Sequence, residues 1–150
     1  MAKTVSMADL PALAGTHLGH SPYVTVDQQR IDAFAEATTD HQWIHVDPVA
    51  AASGPFGTTI AHGYLTLSLV IPLWSDLLDV HDATTKVNYG LNKVRFPAPV
   101  RAGSQVRLDA AIVEVTDVSG GLQLVLDVTM SADGTDKPVC VAEPVFRYYR

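Results

Sequence analysis

The stretch IAHGYLTLSLVIPLWSDLL, Ile60–Leu78, decides how this sequence folds. Its leucines at 65, 67, 69, 73, 77 and 78 leave no polar stripe. A helix that is apolar all round is one that is buried all round. A strand is the competing reading, but the length of the run favours a helix, with Pro72 kinking or breaking it. The apolar part, Ile60–Trp74, is interrupted by His62, Gly63, Thr66, Ser68 and Pro72 and is shorter than the ~20 residues a bilayer requires. The segment therefore reads as a core helix and not as a membrane span.

Working outward, the chain changes character near residue 85, where apolar and polar residues begin to alternate. Four strands are predicted, Lys86–Phe96, Ser104–Asp117, Leu122–Ala132 and Pro138–Tyr149. In the third, Leu122, Leu124, Leu126, Val128 and Met130 share one face, while Gln123, Asp127 and Thr129 share the other. Gly120-Gly121 marks a hairpin, and Asp133-Gly134 marks a turn before the last strand. Before the apolar run, Ser21–Val26 reads as a short strand and Asp27 as the cap of a helix with Ile31, Phe34, Ala35 and Thr38 on one face. Asp47-Pro48 opens a short helix through Ser53, and Ser53–Gly57 is a loop. The architecture these elements predict is α+β: one long antiparallel sheet wrapped around a buried helix. A sheet covers one side of such a helix, so a second subunit is expected to cover part of the rest.

Composition bounds the function. The 150 residues make one domain. At 47% hydrophobic the chain is no disordered segment, and at 17% charged it is poor in surface charge. The net charge of −6, with no run of Lys or Arg, argues against a nucleic-acid partner. Cys140 is the single cysteine and has no internal partner for a disulfide. The opening MAKTVSMADLPAL lacks the apolar core of a signal peptide. A soluble, cytoplasmic protein without a membrane partner is expected.

Chemistry concentrates in Asp40-His41-Gln42-Trp43-Ile44-His45-Val46-Asp47, placed in a loop between two helices. A turn brings Asp40 and His45, five residues apart, together. A carboxylate and an imidazole so placed grip one water, remove its proton and deliver a proton elsewhere. Each residue also has a plainer role open to it, Asp40 as a helix cap and His45 as a core histidine bonded to backbone. His41, His62 and Asp47 bring further ligand atoms, but their spacing matches no strong zinc pattern, and no metal or other cofactor is expected. Ala61-His62-Gly63-Tyr64 opens the apolar helix. The free Gly63 amide can donate to an oxygen that gains charge during reaction, or the glycine can serve close packing alone.

Thr38–Leu69, TTDHQWIHVDPVAAASGPFGTTIAHGYLTLSL, resembles the hydratase motif of the MaoC-like dehydratases, the R-specific enoyl-CoA hydratases. Asp40, His45, Asp47-Pro48, Pro55-Phe56-Gly57 and Ile60-Ala61-His62-Gly63 occur together and in order. Asn88–Val106 resembles the family's second half, and the likeness spans roughly residues 20–150, leaving 1–19 as an N-terminal extension. The resemblance implies a hotdog fold and a homodimer with substrate channels near the subunit interface. It implies reversible addition of water to a trans-2-enoyl thioester, giving the (R)-3-hydroxyacyl thioester, with no metal or redox cofactor. Asp40 and His45 match the catalytic pair, and Gly63 matches the glycine whose amide binds the thioester carbonyl. Two positions depart from the pattern: Gln42-Trp43 stands where many relatives have Asn-Pro, and Ile71 where some carry a serine.

The thioester carrier implied is coenzyme A or acyl carrier protein. Lys93, Arg95, Arg101 and Arg107 are the basic residues available to meet it, or are solvated strand charges. The size of Trp74 bears on acyl length. Two other functions fit the same fold, an acyl-CoA thioesterase and a non-catalytic subunit of a hetero-oligomeric dehydratase.

Overall fold

A computed structural model describes residues 1–150. The local signals place most elements as expected. Asp27 follows β3 (Val24–Val26) and caps α1 (Gln28–Thr38), its carboxylate accepting from the Arg30 amide at 2.8 Å. Asp47 does the same for α3 (Pro48–Ala52), accepting from the Ala50 amide at 3.0 Å. Between them the segment read as loop makes one further turn, α2 (Trp43–Val46).

The four long strands lie close to their expected bounds, as β5 (Thr85–Arg95), β6 (Ser104–Val118), β7 (Gly121–Ala132) and β8 (Cys140–Tyr149). Val118 pairs with Gly121 across a two-residue turn in which Gly120 takes φ +79°, a conformation costly to any side chain. A Cβ on Gly121 would lie 2.2 Å from the Tyr148 carbonyl oxygen, so the neighbouring strand can approach only a glycine there. The alternation read in β7 is real. Leu124, Leu126, Val128 and Met130 are fully buried, as are Val106, Leu108, Ala110 and Ile112 opposite them on β6. With β2 (His17–His20) and β3 both on the outer side of β6, the antiparallel order is β2-β6-β7-β8-β5.

Residues 1–19, expected as an extension, are woven into the core. β1 (Lys3–Val5) pairs parallel with β4 (Leu78–Val80), and a 3-10 helix, Met7–Leu13, buries Met7 and Leu10 completely. Leu10 is apolar enough to be held in the interior, and β2 then adds an edge strand.

The apolar run that decided the fold is two short helices, α4 (Gly63–Ser68) and α5 (Val70–Ser75), meeting at Leu69. The break precedes Pro72 by nearly a turn. Pro72 has no N–H to return to the Ser68 carbonyl, so the ladder opens there. The Leu69 amide is shared between the Leu65 and Thr66 carbonyls at 3.2 Å each. Leu65, Leu69, Val70, Leu73 and Trp74 face the sheet and are buried. The burial is not all-round, however. Tyr64, Ser68, Ile71, Pro72 and Ser75 form an exposed stripe, with Tyr64 at 73% and Ile71 at 41%. Within one chain the sheet covers only one side of these helices, and the side left bare carries Ser68 and Ser75 between the apolar residues. No helix is long and apolar enough to cross a membrane.

Candidate active site

The site forms where α1 ends. Thr39, the residue after the helix, is left-handed at φ 59°, ψ 22°, the sole non-glycine with positive φ. Such a threonine costs ~1–3 kcal/mol and is held only by its surroundings. It swings Asp40 out of the helix with its carboxylate exposed and free of any hydrogen bond within the chain. The Asp40 main-chain carbonyl turns the other way and accepts from His62 Nε2 at 2.9 Å.

His45 sits in α2 and is buried. Its Nδ1 lies 2.7 Å from the Ile60 carbonyl oxygen, which can only accept. The proton of the neutral ring is therefore on Nδ1, and the lone pair is on Nε2. Burial pushes the His45 imidazole below its ordinary range. The Ile60 carbonyl pulls the other way, the nearby His62 lowers it further and Asp40 raises it. The outcome is a ring kept neutral, with a basic nitrogen to offer.

Asp40, His45 and His62 each bring one polar side-chain atom to within 4.8 Å of the others. Two groups that share one tetrahedral water at ~2.8 Å each stand roughly 4.6 Å apart. An Asp40 carboxylate and a His45 imidazole with polar atoms no more than 4.8 Å apart are close enough to hold a single water between them. The arrangement suits a metal less well. The His45 and His62 rings stack at 3.9 Å with planes 23° apart. Planes so nearly parallel converge only on the order of 10 Å away, whereas an ion lies ~2.1 Å from each nitrogen in the plane of each ring. The other groups weighed as ligands point elsewhere: His41 toward Glu36 at 3.5 Å, and Asp47 into its helix cap.

Gly63 takes the first position of α4, where the amide has no intrahelical partner. With one and a half turns behind it, α4 adds little dipole, so the N–H itself is what the position offers. Gly63 lines a cavity of 280 Å³ with Phe56, Ile60, Thr66, Phe96 and Val139. A Cβ on Gly63 would stand 3.2 Å from the Phe96 ring. Two smaller hollows, 120 and 100 Å³, lie between α5 and β5 and share Ile71, Asn88 and Phe146. Trp74 floors the first, its Nε1–H donating to the Tyr148 hydroxyl at 2.8 Å.

Sequence reasoning missed Gln28. From the first turn of α1 it donates Nε2–H to the His45 carbonyl at 2.7 Å and accepts from the Thr59 hydroxyl, tying α2 to the segment that leads into α4. No motif signals it. The basic residues fare unevenly. Arg107 lies over the Tyr23 ring at 4.9 Å with a buried Nε, Arg101 donates to the Phe56 carbonyl, and Arg95 to its neighbour Val94.

A sheet folded over two central helices, with a carboxylate and a neutral imidazole at their head, defines a hotdog domain equipped for acid–base chemistry. The chain belongs to the MaoC like domain family, which matches residues 9–132. It is 51% identical over 144 residues to 3-hydroxyacyl-thioester dehydratase Z of Mycobacterium tuberculosis, covering 95% of each chain. It is 44% identical to nodulation protein N of Rhizobium leguminosarum, covering 92% of this chain and 88% of that one. Among solved structures, an R-hydratase from Pseudomonas aeruginosa has the same fold, with TM-score 0.74 at 20% identity over 97% of this chain and 86% of that one.

Proposed function

We propose that this protein is a hydro-lyase that adds water reversibly to trans-2-enoyl thioesters, giving the (R)-3-hydroxyacyl thioester. The observation that carries the reading is the meeting of Asp40 with a buried His45 whose Nε2 is the basic nitrogen, their polar side-chain atoms within 4.8 Å of each other. The relatives named for a dehydratase acting on 3-hydroxyacyl thioesters support the same reaction class.

The chemistry follows from what each group can do. A water between the pair donates one O–H to the Asp40 carboxylate and the other to His45 Nε2, which leaves an oxygen lone pair aimed outward. That oxygen forms the bond to C3. The C2–C3 π electrons move to the thioester carbonyl, whose oxygen becomes enolate-like. The Gly63 N–H donates to it, a contribution typically of ~10²–10³-fold for such donors. His45 takes the proton that leaves the water. The His45 imidazolium then gives that proton to C2 on the same face, and the site returns to its starting state. Dehydration is the reverse.

The acyl chain fits along the central helices. Ile71 lies roughly 12 Å of helix from Gly63, beside the hollows floored by Trp74 and Phe146. A second copy of the chain completes this groove. β5 is an eleven-residue edge strand exposed along nearly its whole length, and Leu91 on it lines one of these hollows together with Ile71. Unpaired edges of this kind are covered in a stable protein.

The test is hydration of trans-2-enoyl thioesters by the purified chain, followed by loss of the conjugated enoyl absorbance and chiral analysis of the product. An intact thioester bearing an (R)-3-hydroxyl is expected. Release of free thiol without loss of the double bond would instead identify a thioesterase.

A further inference from the structure

His62 belongs to none of the roles above, yet it touches both members of the pair. Its ring is 3% exposed and stacked on His45 at 3.9 Å. Its ring also meets Phe34, tilted at 53°, with centroids 4.8 Å apart. Its Nε2–H is spent on the Asp40 main-chain carbonyl at 2.9 Å, and its Nδ1 is buried with no partner at all. A buried nitrogen left without a partner is unfavourable, and a phenylalanine would fill the same slab-shaped space without it. The imidazole therefore stands there for its one donor. That donor ends on the residue that follows the left-handed Thr39, the point where the chain leaves α1 and where Asp40 would otherwise be free to turn with the loop.

We propose that His62 is a positioning residue that sets the Asp40–His45 spacing, its Nε2–H fixing the Asp40 backbone while its ring face seats the His45 imidazole. The proposal rests on the reading of Asp40 and His45 as the catalytic pair. His62 itself meets no reacting atom. Its second effect is electrostatic. The groups facing His45 are His62 on one side, the Asp40 carboxylate and the Ile60 carbonyl, and of these His62 lowers the affinity of His45 for a proton. A neutral, non-titrating side chain at position 62 lifts that influence.

The experiment compares His62→Phe and His62→Gln with Asp40→Asn and His45→Gln, using a trans-2-enoyl thioester across a pH series. His62→Phe keeps the stack and loses the donor. We expect kcat to fall ~10–100-fold, the cost of a misplacement of about 1 Å, with KM within threefold and the acid limb of the pH profile shifted upward. His62→Gln keeps a donor and should recover at least tenfold of the loss. In the unmodified protein, nitrogen NMR of the imidazoles should show His62 protonated on Nε2 with a slowly exchanging proton, a readout that survives even if a variant fails to fold. If His62→Phe keeps kcat within threefold while Asp40→Asn and His45→Gln lose a hundredfold, the positioning role is wrong and the catalytic pair stands. A His62 protonated on Nδ1 alone, or a loss confined to KM, also overturns it. Near-normal turnover in Asp40→Asn and His45→Gln removes the underlying reading instead.

Discussion

Asp40→Asn separates chemistry from folding more cleanly than any other change in the site. The Asp40 carboxylate is exposed and accepts no hydrogen bond in the chain, while the contact that anchors the residue, from His62, ends on its main-chain carbonyl. Asparagine leaves that carbonyl in place and matches the side chain in size. Stability should therefore stay within ~0.5 kcal/mol of the parent, as for surface changes away from packed or bonded groups. Turnover should not. An amide cannot take or share the proton of the bound water, and the loss of one acid–base group costs ~10²–10⁴-fold, or about 2.7–5.5 kcal/mol of barrier at 1.36 kcal/mol per factor of ten. Urea unfolding and initial rates of crotonyl thioester hydration on the same preparation give both numbers. Unchanged unfolding with turnover within threefold of the parent would refute the assignment of Asp40. A large drop in both would show that the carboxylate supports the fold as well as the reaction.

His45 should impose an acid limb on kcat/KM, falling tenfold per pH unit below a midpoint under the ordinary histidine value of ~6.5, because burial favours the neutral ring. The same shift acts on stability. The unfolded chain takes up this proton first, so the contribution is complete above the unfolded value and is lost as pH falls through the lower folded one. The stability difference between the parent and His45→Gln, followed by urea unfolding from neutral to acid pH, should shrink accordingly. Tyr148→Phe strips the acceptor from the buried Trp74 N–H. It should cost ~1–3 kcal/mol and lower the melting temperature by roughly 2–10 °C; an unchanged melt contradicts the bond. Leu91→Asp puts a charge on the exposed β5 strand, and sedimentation should show a monomer for this variant and a dimer for the parent. Ile71→Trp, filling the hollow beside α5, should reduce turnover of long acyl chains by ~10-fold or more and spare four-carbon substrates in a chain-length series.

The parts of the fold that were legible in sequence are those with a short-range cause. Alternation along Leu122–Met130, the Gly120-Gly121 turn and the aspartate caps at 27 and 47 each act within a few residues, and each appears where expected. Asp40 and His45 could be singled out because one loop carries both. What escaped depends on long-range contact. Leu10 is core only because the sheet closes over it, and the central run shows a bare stripe only because a single sheet has one concave face. Gln28 reaches His45 through space, and the His62 bond ends on a main-chain oxygen, which no residue type announces. The convergence of His62 on Asp40 requires the left-handed turn at Thr39, and threonine is a poor predictor of that conformation.

The pairing of β5 has a consequence for how the protein is made. Its register partners run from Thr85 with Tyr149 to Arg95 with Val141, and β8 is the strand's sole neighbour in the sheet. Synthesis proceeds from the N-terminus at ~5–20 residues per second, so β5 leaves the ribosome seconds before β6, β7 and β8 have followed. During that interval its backbone N–H and C=O groups have no strand to pair with. A nascent chain stalled within β6 or β7 should be a preferred client for chaperones that hold extended segments.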